Sequence, residues 1–149
     1  MAEPYSKSFH VRWGDMDFNA HMSNTAYLHV SADVRMMYFQ EHGFSMREFE
    51  RLRVGPVITR DELEYFRELR LLESITVTLS LNGLSDSASL FRLTNEFFTA
   101  EHKLAARVTS NGGWLDLAAR KLTPPPEALA ELLRGIPKTP NFEVLPSKL

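Results

Sequence analysis

The 149-residue chain contains no cysteine. That absence excludes a disulfide framework, a thiolate zinc site, an iron–sulfur cluster and a cysteine nucleophile. Long apolar runs are missing too, and nothing approaches the roughly 18 uncharged apolar residues of a membrane span. Met1 to Lys7 show neither the basic start nor the apolar stretch of a secretory leader, so a cytoplasmic protein is expected. Charge of one sign is not in excess: 17 Lys and Arg meet 19 Asp and Glu, a net charge of -2. This argues against a nucleic-acid partner held by bulk electrostatics, while leaving room for a local basic patch. His10, His42 and His102 are scattered without ligand-like spacing, so no metal centre is expected.

What is present is ordinary for a globular protein, with 44% hydrophobic and 24% charged residues. One domain over residues 1–149 is expected, because a chain of this size buries about two-thirds of its unfolded surface. Ser8 to Trp13 alternates, with Phe9, Val11 and Trp13 on one face, which predicts a strand. Gly14 to Ser23 has no periodicity and reads as a loop. From Asn24 to His42 the apolar residues Tyr27, Val30, Val34, Met37 and Tyr38 recur at helical spacing, with Ser23 or Asn24 as cap and Gly43 as stop. Ser45 to Leu52 predicts a short helix.

Sheet-forming sequence then dominates. Val54 to Ile58 and Leu63 to Leu69 read as an interrupted strand, and Ile75 to Leu81 alternates throughout. Leu90 to Thr99, Leu104 to Thr109 and Trp114 to Leu117 follow, with Asn111-Gly112-Gly113 as a hairpin turn or a bulge. Glu127 to Arg134 predicts a helix that opens after Pro126, and residues 137–149 an extended, loosely held tail. The order implies an α+β fold in which an antiparallel sheet covers one long, mostly apolar helix.

The segment from Trp13 to Asn24 concentrates the chemistry. Asp15, Asp17, His21 and the cap residues Ser23 and Asn24 fall between a strand and a helix start. Helix N-termini present unpaired N–H groups that hold an oxyanion, and a nearby carboxylate serves as base or nucleophile. The same residues also suit plain turn and capping roles.

Arg12-Trp13-Gly14-Asp15-Met16-Asp17, then His21-Met22-Ser23-Asn24-Thr25-Ala26-Tyr27-Leu28, then Asp33-Val34-Arg35, resembles the hot-dog acyl-CoA thioesterases of the 4-hydroxybenzoyl-CoA thioesterase type. The resemblance implies a hot-dog fold, a homodimer or homotetramer, and hydrolysis of acyl-CoA without a cofactor. It places Asp17 as nucleophile or general base, and backbone N–H groups near Ser23 and Asn24 as the oxyanion hole. It gives His21 a role in orienting the loop or lining the site, and Asp15 a structural one. Trp13 and Tyr27 are supporting candidates, and with Phe18 the Trp13 ring is expected to bury Asp17. Arg60, Arg67 and Arg70 are candidates for the CoA phosphates, and Tyr27, Phe39, Tyr65 and Phe66 for the acyl pocket.

Three departures stand out. Ala20 replaces a common Gly, which predicts an altered loop path because Ala resists positive φ. Ser23 replaces an Asn, and Asp33 a Glu. Leu72-Glu73 also stands where Gly-Asp is frequent, predicting a different turn. Two other readings stay open: an acyl-binding protein without turnover, and a dehydratase using His29 and Asp33. The latter pair otherwise reads as a hydrogen-bonded i, i+4 couple.

Overall fold

The structure, a computed structural model, describes residues 3–147. Strand β1 (Tyr5–His10) leads through a short turn of 3-10 helix at Trp13–Asp15 to helix α1 (Asn24–Glu41). Helix α2 (Met46–Leu52) precedes β2 (Val54–Tyr65), β3 (Ser74–Ser85), β4 (Leu90–Phe98) and β5 (Leu104–Asp116). A short β6 (Lys121–Thr123), helix α3 (Glu127–Arg134) and β7 (Lys138–Leu145) complete the chain. The sheet runs β1-β3-β4-β5-β2, with β6 on β5 and β7 on β3; only the β3–β7 pair is parallel. This is the sheet over one long helix that the sequence pattern predicts, in the hot-dog arrangement that the resemblance implies.

Helix α1 packs on β1, β3 and β5. Its buried side chains Ala26, Tyr27, Val30, Val34, Tyr38 and Phe39 meet Val77, Leu79, Leu93, Phe97 and Val108 of the sheet. Each large apolar side chain so buried contributes about 1.5–3 kcal/mol. At the far end of α1, Phe39, Phe49 and Phe91 surround Trp114, with ring centroids 5.4 to 6.1 Å from the indole. The Tyr38 hydroxyl donates to the Leu132 carbonyl at 2.8 Å and pins α3 to the same end.

Several expected boundaries move. The first strand is Tyr5–His10 rather than Ser8–Trp13: its pairing with β3 ends at His10, and Trp13 turns out to solvent. The two pieces of the interrupted strand form one strand with a bulge between Ile58 and Arg60, and Phe66–Leu69 leave it. Asn111-Gly112-Gly113 is no hairpin; as the alternative reading has it, the segment lies within one long strand, β5, with the bulge on β2 opposite it. Gly112 is required there because a Cβ would stand 2.2 Å from the Val57 carbonyl oxygen.

The largest correction concerns the tail. β1 covers β3 only from Ser74 to Leu79, which leaves the rest of that edge unpaired. β7 takes it, pairing Gly83, Leu84 and Ser85 with Glu143, Val144 and Leu145. Asn82 Nδ2 donates to Thr139 and Asn141, Arg92 pairs with Glu143, and Leu145 is buried against Gly83. The segment carries no strong pattern of its own; the vacant edge recruits it.

Leu145→Ala is expected to lower stability by about 2 kcal/mol, read as a fall in Tm of roughly 5 °C. An unchanged thermal melt contradicts a docked tail.

Candidate active site

The loop from Asp15 to Ser23 is closed by backbone bonds. Asp17 N–H donates to the His21 carbonyl at 3.0 Å, Ala20 N–H to Asp17 at 3.2 Å, and Ser23 N–H to Asp15 at 2.8 Å. Met16 and Met22 form an antiparallel bridge, and Met22 N–H reaches back to Leu69 at 2.8 Å. Closing so tight a loop requires a left-handed residue, and Ala20 supplies it with φ of 64°. The reason for expecting an altered path does not hold: Ala20 itself adopts the positive φ that Gly takes without cost. Leu72 likewise takes a glycine-like backbone, with φ of 66°.

Asp15 lies inside the loop and is buried. Its Oδ2 accepts from Arg12 N at 2.9 Å and from Arg12 Nε at 3.2 Å, and its Oδ1 from Arg12 Nη2 at 3.1 Å. Burial pushes this carboxyl up, but the Arg12 hydrogen bonds and charge outweigh it and hold the pKa below the usual carboxylate value. Asp15 therefore anchors the start of the loop and faces away from its tip.

A cleft of about 530 Å³ opens beside the loop. Asp17, His21, Met22 and Asn24 line it with Tyr27 of α1, facing Tyr65, Phe66, Arg67 and Glu68 at the end of β2. Asp17 Oδ1 accepts from the Asn19 N–H at 2.8 Å, and His21 Nδ1 stands 3.7 Å from Asp17 Oδ2 and 3.3 Å from the Met22 carbonyl. Burial, then Tyr65, Glu73 and Asp17, push the Tyr27 hydroxyl up to about 12. It stays protonated at neutral pH and can donate.

The helix start divides the two expected N–H groups. Ser23 N–H is already given to the Asp15 carbonyl. Asn24 N–H has no acceptor among the described residues and belongs to a residue that lines the cleft. As an unpaired donor at the positive end of an 18-residue helix it is suited to a partial negative charge.

Asp17, His21, Asn24, Tyr27 and Arg67 thus converge, whereas Trp13, Asp15, Ser23, Arg60 and Arg70 do not line the cleft. Trp13 is 81% exposed and Phe18 fully so, and neither ring buries Asp17 within this chain. Arg60 pairs with Glu62, and Arg70 with Glu68. Arg67 Nη1 holds the Leu104 carbonyl at 2.6 Å, fixing the side chain at the rim. Phe39 lines a different cavity. His29 and Asp33 are exposed, and no hydrogen bond or ion pair joins them, against the expectation of a bonded couple. Met22 and Glu68 are cleft residues that sequence reasoning did not select. The fully buried Leu69, set between Glu68 and Arg70, was the available sign that this segment folds back onto the loop.

The family model of the thioesterase-like superfamily matches residues 11–133, and the chain belongs to that superfamily. A Staphylococcus aureus hypothetical protein solved in complex with CoA superposes with a TM-score of 0.80 at 22% identity, covering 92% of this chain and 88% of that one. The 1,4-dihydroxy-2-naphthoyl-CoA thioesterase of Synechocystis gives 0.79 at 16% identity, covering 89% and 97%. A gentisyl-coenzyme A thioesterase gives 0.76 at 18% identity, covering 86% and 98%. At these identities the likeness shows the fold. No protein of curated function matches by sequence.

Ala20→Gly is expected to relieve about 1 kcal/mol of backbone strain and raise Tm by a few degrees; no gain contradicts the strained loop. Asp15→Asn is expected to cost about 1–3 kcal/mol at neutral pH. Because the folded carboxyl titrates below its unfolded value, its contribution is present above about pH 4 and is lost as pH falls through the folded value. Denaturant melts from pH 7 to 2 are expected to show the two proteins converging below pH 4; parallel curves contradict the assignment.

Proposed function

We propose that the protein hydrolyses acyl-CoA thioesters to the free acid and CoA. The observation that carries this reading is the shared cleft: a carboxylate on a fixed loop, Asp17, and an unclaimed N–H at a helix start, Asn24. Family membership supports the reaction class. The thioester carbonyl oxygen sits on the Asn24 N–H, which meets negative charge as the carbon becomes tetrahedral. Either Asp17 takes a proton from a water that attacks that carbon, the C–S bond breaks and the thiolate leaves with that proton; or Asp17 itself attacks, the C–S bond breaks, and water then cleaves the acyl–Asp17 anhydride to free acid and carboxylate, its protons going to the thiolate and to solvent. His21 stands beside Asp17, its Nδ1 3.7 Å from Asp17 Oδ2. The Tyr27 hydroxyl is a further donor at the cleft wall. Arg67 at the rim offers its remaining N–H groups to a CoA phosphate. No residue of the reading requires a cofactor.

The same reading includes a homodimer or homotetramer. β2 pairs only with β5, so its other edge is open among the described residues. Tyr65 and Phe66 at the end of this strand are exposed, as are Trp13 and Phe18 in the segment before α1. A second copy laid along that edge covers backbone donors and aromatic rings together.

Asp17→Asn is expected to lower kcat/KM on a panel of short, long and aromatic acyl-CoAs by at least about a hundredfold, with acyl-CoA binding retained. Thiol release reports turnover, and the cysteine-free chain adds no background. Undiminished turnover removes Asp17 from the reaction. Binding without turnover in the wild type replaces the enzyme with an acyl-binding protein. Light scattering on the same samples tests the assembly: a monomeric mass contradicts it.

A further inference from the structure

A second cavity, about 170 Å³, lies along the other half of α1. Ala32, Arg35 and Met36 line it from the helix, and Ile58, Phe91 and Trp114 from the sheet. Its wall is apolar apart from two groups. Trp114 is buried, and its indole N–H has no hydrogen-bond partner among the described residues. Arg35 is the one charged residue.

Arg35 is partly buried, and its surroundings leave its charge without a contacting anion. Nη1 donates to Asn95 Oδ1 and to Ser110 Oγ, both at 3.2 Å. Among the described residues Nε and Nη2 make no hydrogen bond, and no carboxylate forms an ion pair with the guanidinium. Asp61 is joined to it only through Ser110, whose Oγ donates to Asp61 Oδ1 at 2.6 Å. Burial pulls the Arg35 pKa below its usual value, against the opposing charge of Asp61. A guanidinium nevertheless stays charged at any physiological pH. A partly buried cation at the wall of an apolar cavity attracts an anion, and two spare N–H donors match a carboxylate in parallel.

We propose that this cavity is a second binding site, for a small apolar carboxylate whose hydrocarbon part fills the space and whose carboxylate pairs with Arg35. The volume is close to that of a cavity that holds benzene, about 150 Å³. The carboxylate has two possible sources: a free acid, or the far end of an acyl group whose thioester lies in the first cleft. Ala32 stands about 12 Å along the helix from Asn24, at about 1.5 Å per residue. Binding here needs neither Asp17 nor turnover, so the proposal does not rest on thioester hydrolysis.

The chain has two tryptophans, and Trp13→Phe leaves Trp114 as the only indole. Benzoate titrated into that protein is expected to give a saturable change in indole emission. The neutral isostere benzamide is expected to bind at least tenfold more weakly. Arg35→Met is expected to weaken benzoate at least tenfold, and Ala32→Phe, which fills the cavity and leaves the guanidinium, to abolish the response. Circular-dichroism melts confirm that each variant is folded; if Arg35→Met is not, the Ala32→Phe and benzamide comparisons decide.

A second arm compares adipoyl-CoA with hexanoyl-CoA in the wild type and Arg35→Met. A tenfold loss confined to adipoyl-CoA assigns the carboxylate to the acyl end; a benzoate response without that selectivity assigns it to a free acid. Absence of both effects, or equal binding of benzoate and benzamide, overturns the proposal. If no thioester is turned over at all, the benzoate arm still decides.

Discussion

Everything in this molecule depends on covering α1. A helix with Tyr27, Val30, Val34, Tyr38 and Phe39 along one face cannot remain in water, and one antiparallel sheet supplies the cover. The hydrophobic effect fixes this layer without direction of its own; direction comes from the strand ladder. Once the helix is seated, both cavities are placed, one at its N-terminal end and one along its second half. The first takes its character from the helix terminus, the second from the one arginine of the helix, Arg35.

The loop before α1 shows how a site is held against local preference. Ala20 in the left-handed region is unfavourable taken alone. It persists because the Asp15–Ser23 and Asp17–His21 backbone bonds and the buried Asp15–Arg12 pair determine the path on both sides of it. Strain of this kind tends to persist where the surrounding structure over-determines it. The consequence for chemistry is specific. Tying Ser23 N–H to Asp15 leaves Asn24 N–H as the cleft-lining donor, one residue along the helix.

The sheet divides its polar groups in a similar way. Asn95 and Ser110 lie on the face turned toward α1, and both are fully buried. They are not mispatterned strand residues; they accept hydrogen bonds from Arg35, and Asn95 also donates to the Thr78 carbonyl at 2.9 Å. A buried network of this kind is stable only when its members are satisfied, and the guanidinium is the member with donors to spare.

The sequence by itself determined the long helix, the alternation of Ile75 to Leu81, the short helix at Glu127 to Arg134, and the α+β order. Each follows from local periodicity and capping, which act over a few residues. Asp17, His21 and Asn24 were legible because they crowd one short loop before a helix start. Tertiary structure decided what periodicity cannot encode. It joined β5 through Gly112, where the approach of β2 requires a residue without Cβ. It drew residues 138–145 onto the open edge of β3, turned Trp13 and Phe18 outward, and brought Arg67 and Glu68 across from β2 to the loop. It also set Arg35 beside Trp114, 79 positions along the chain. These are pairings between distant segments, and their energies exist only after the helix has found its sheet.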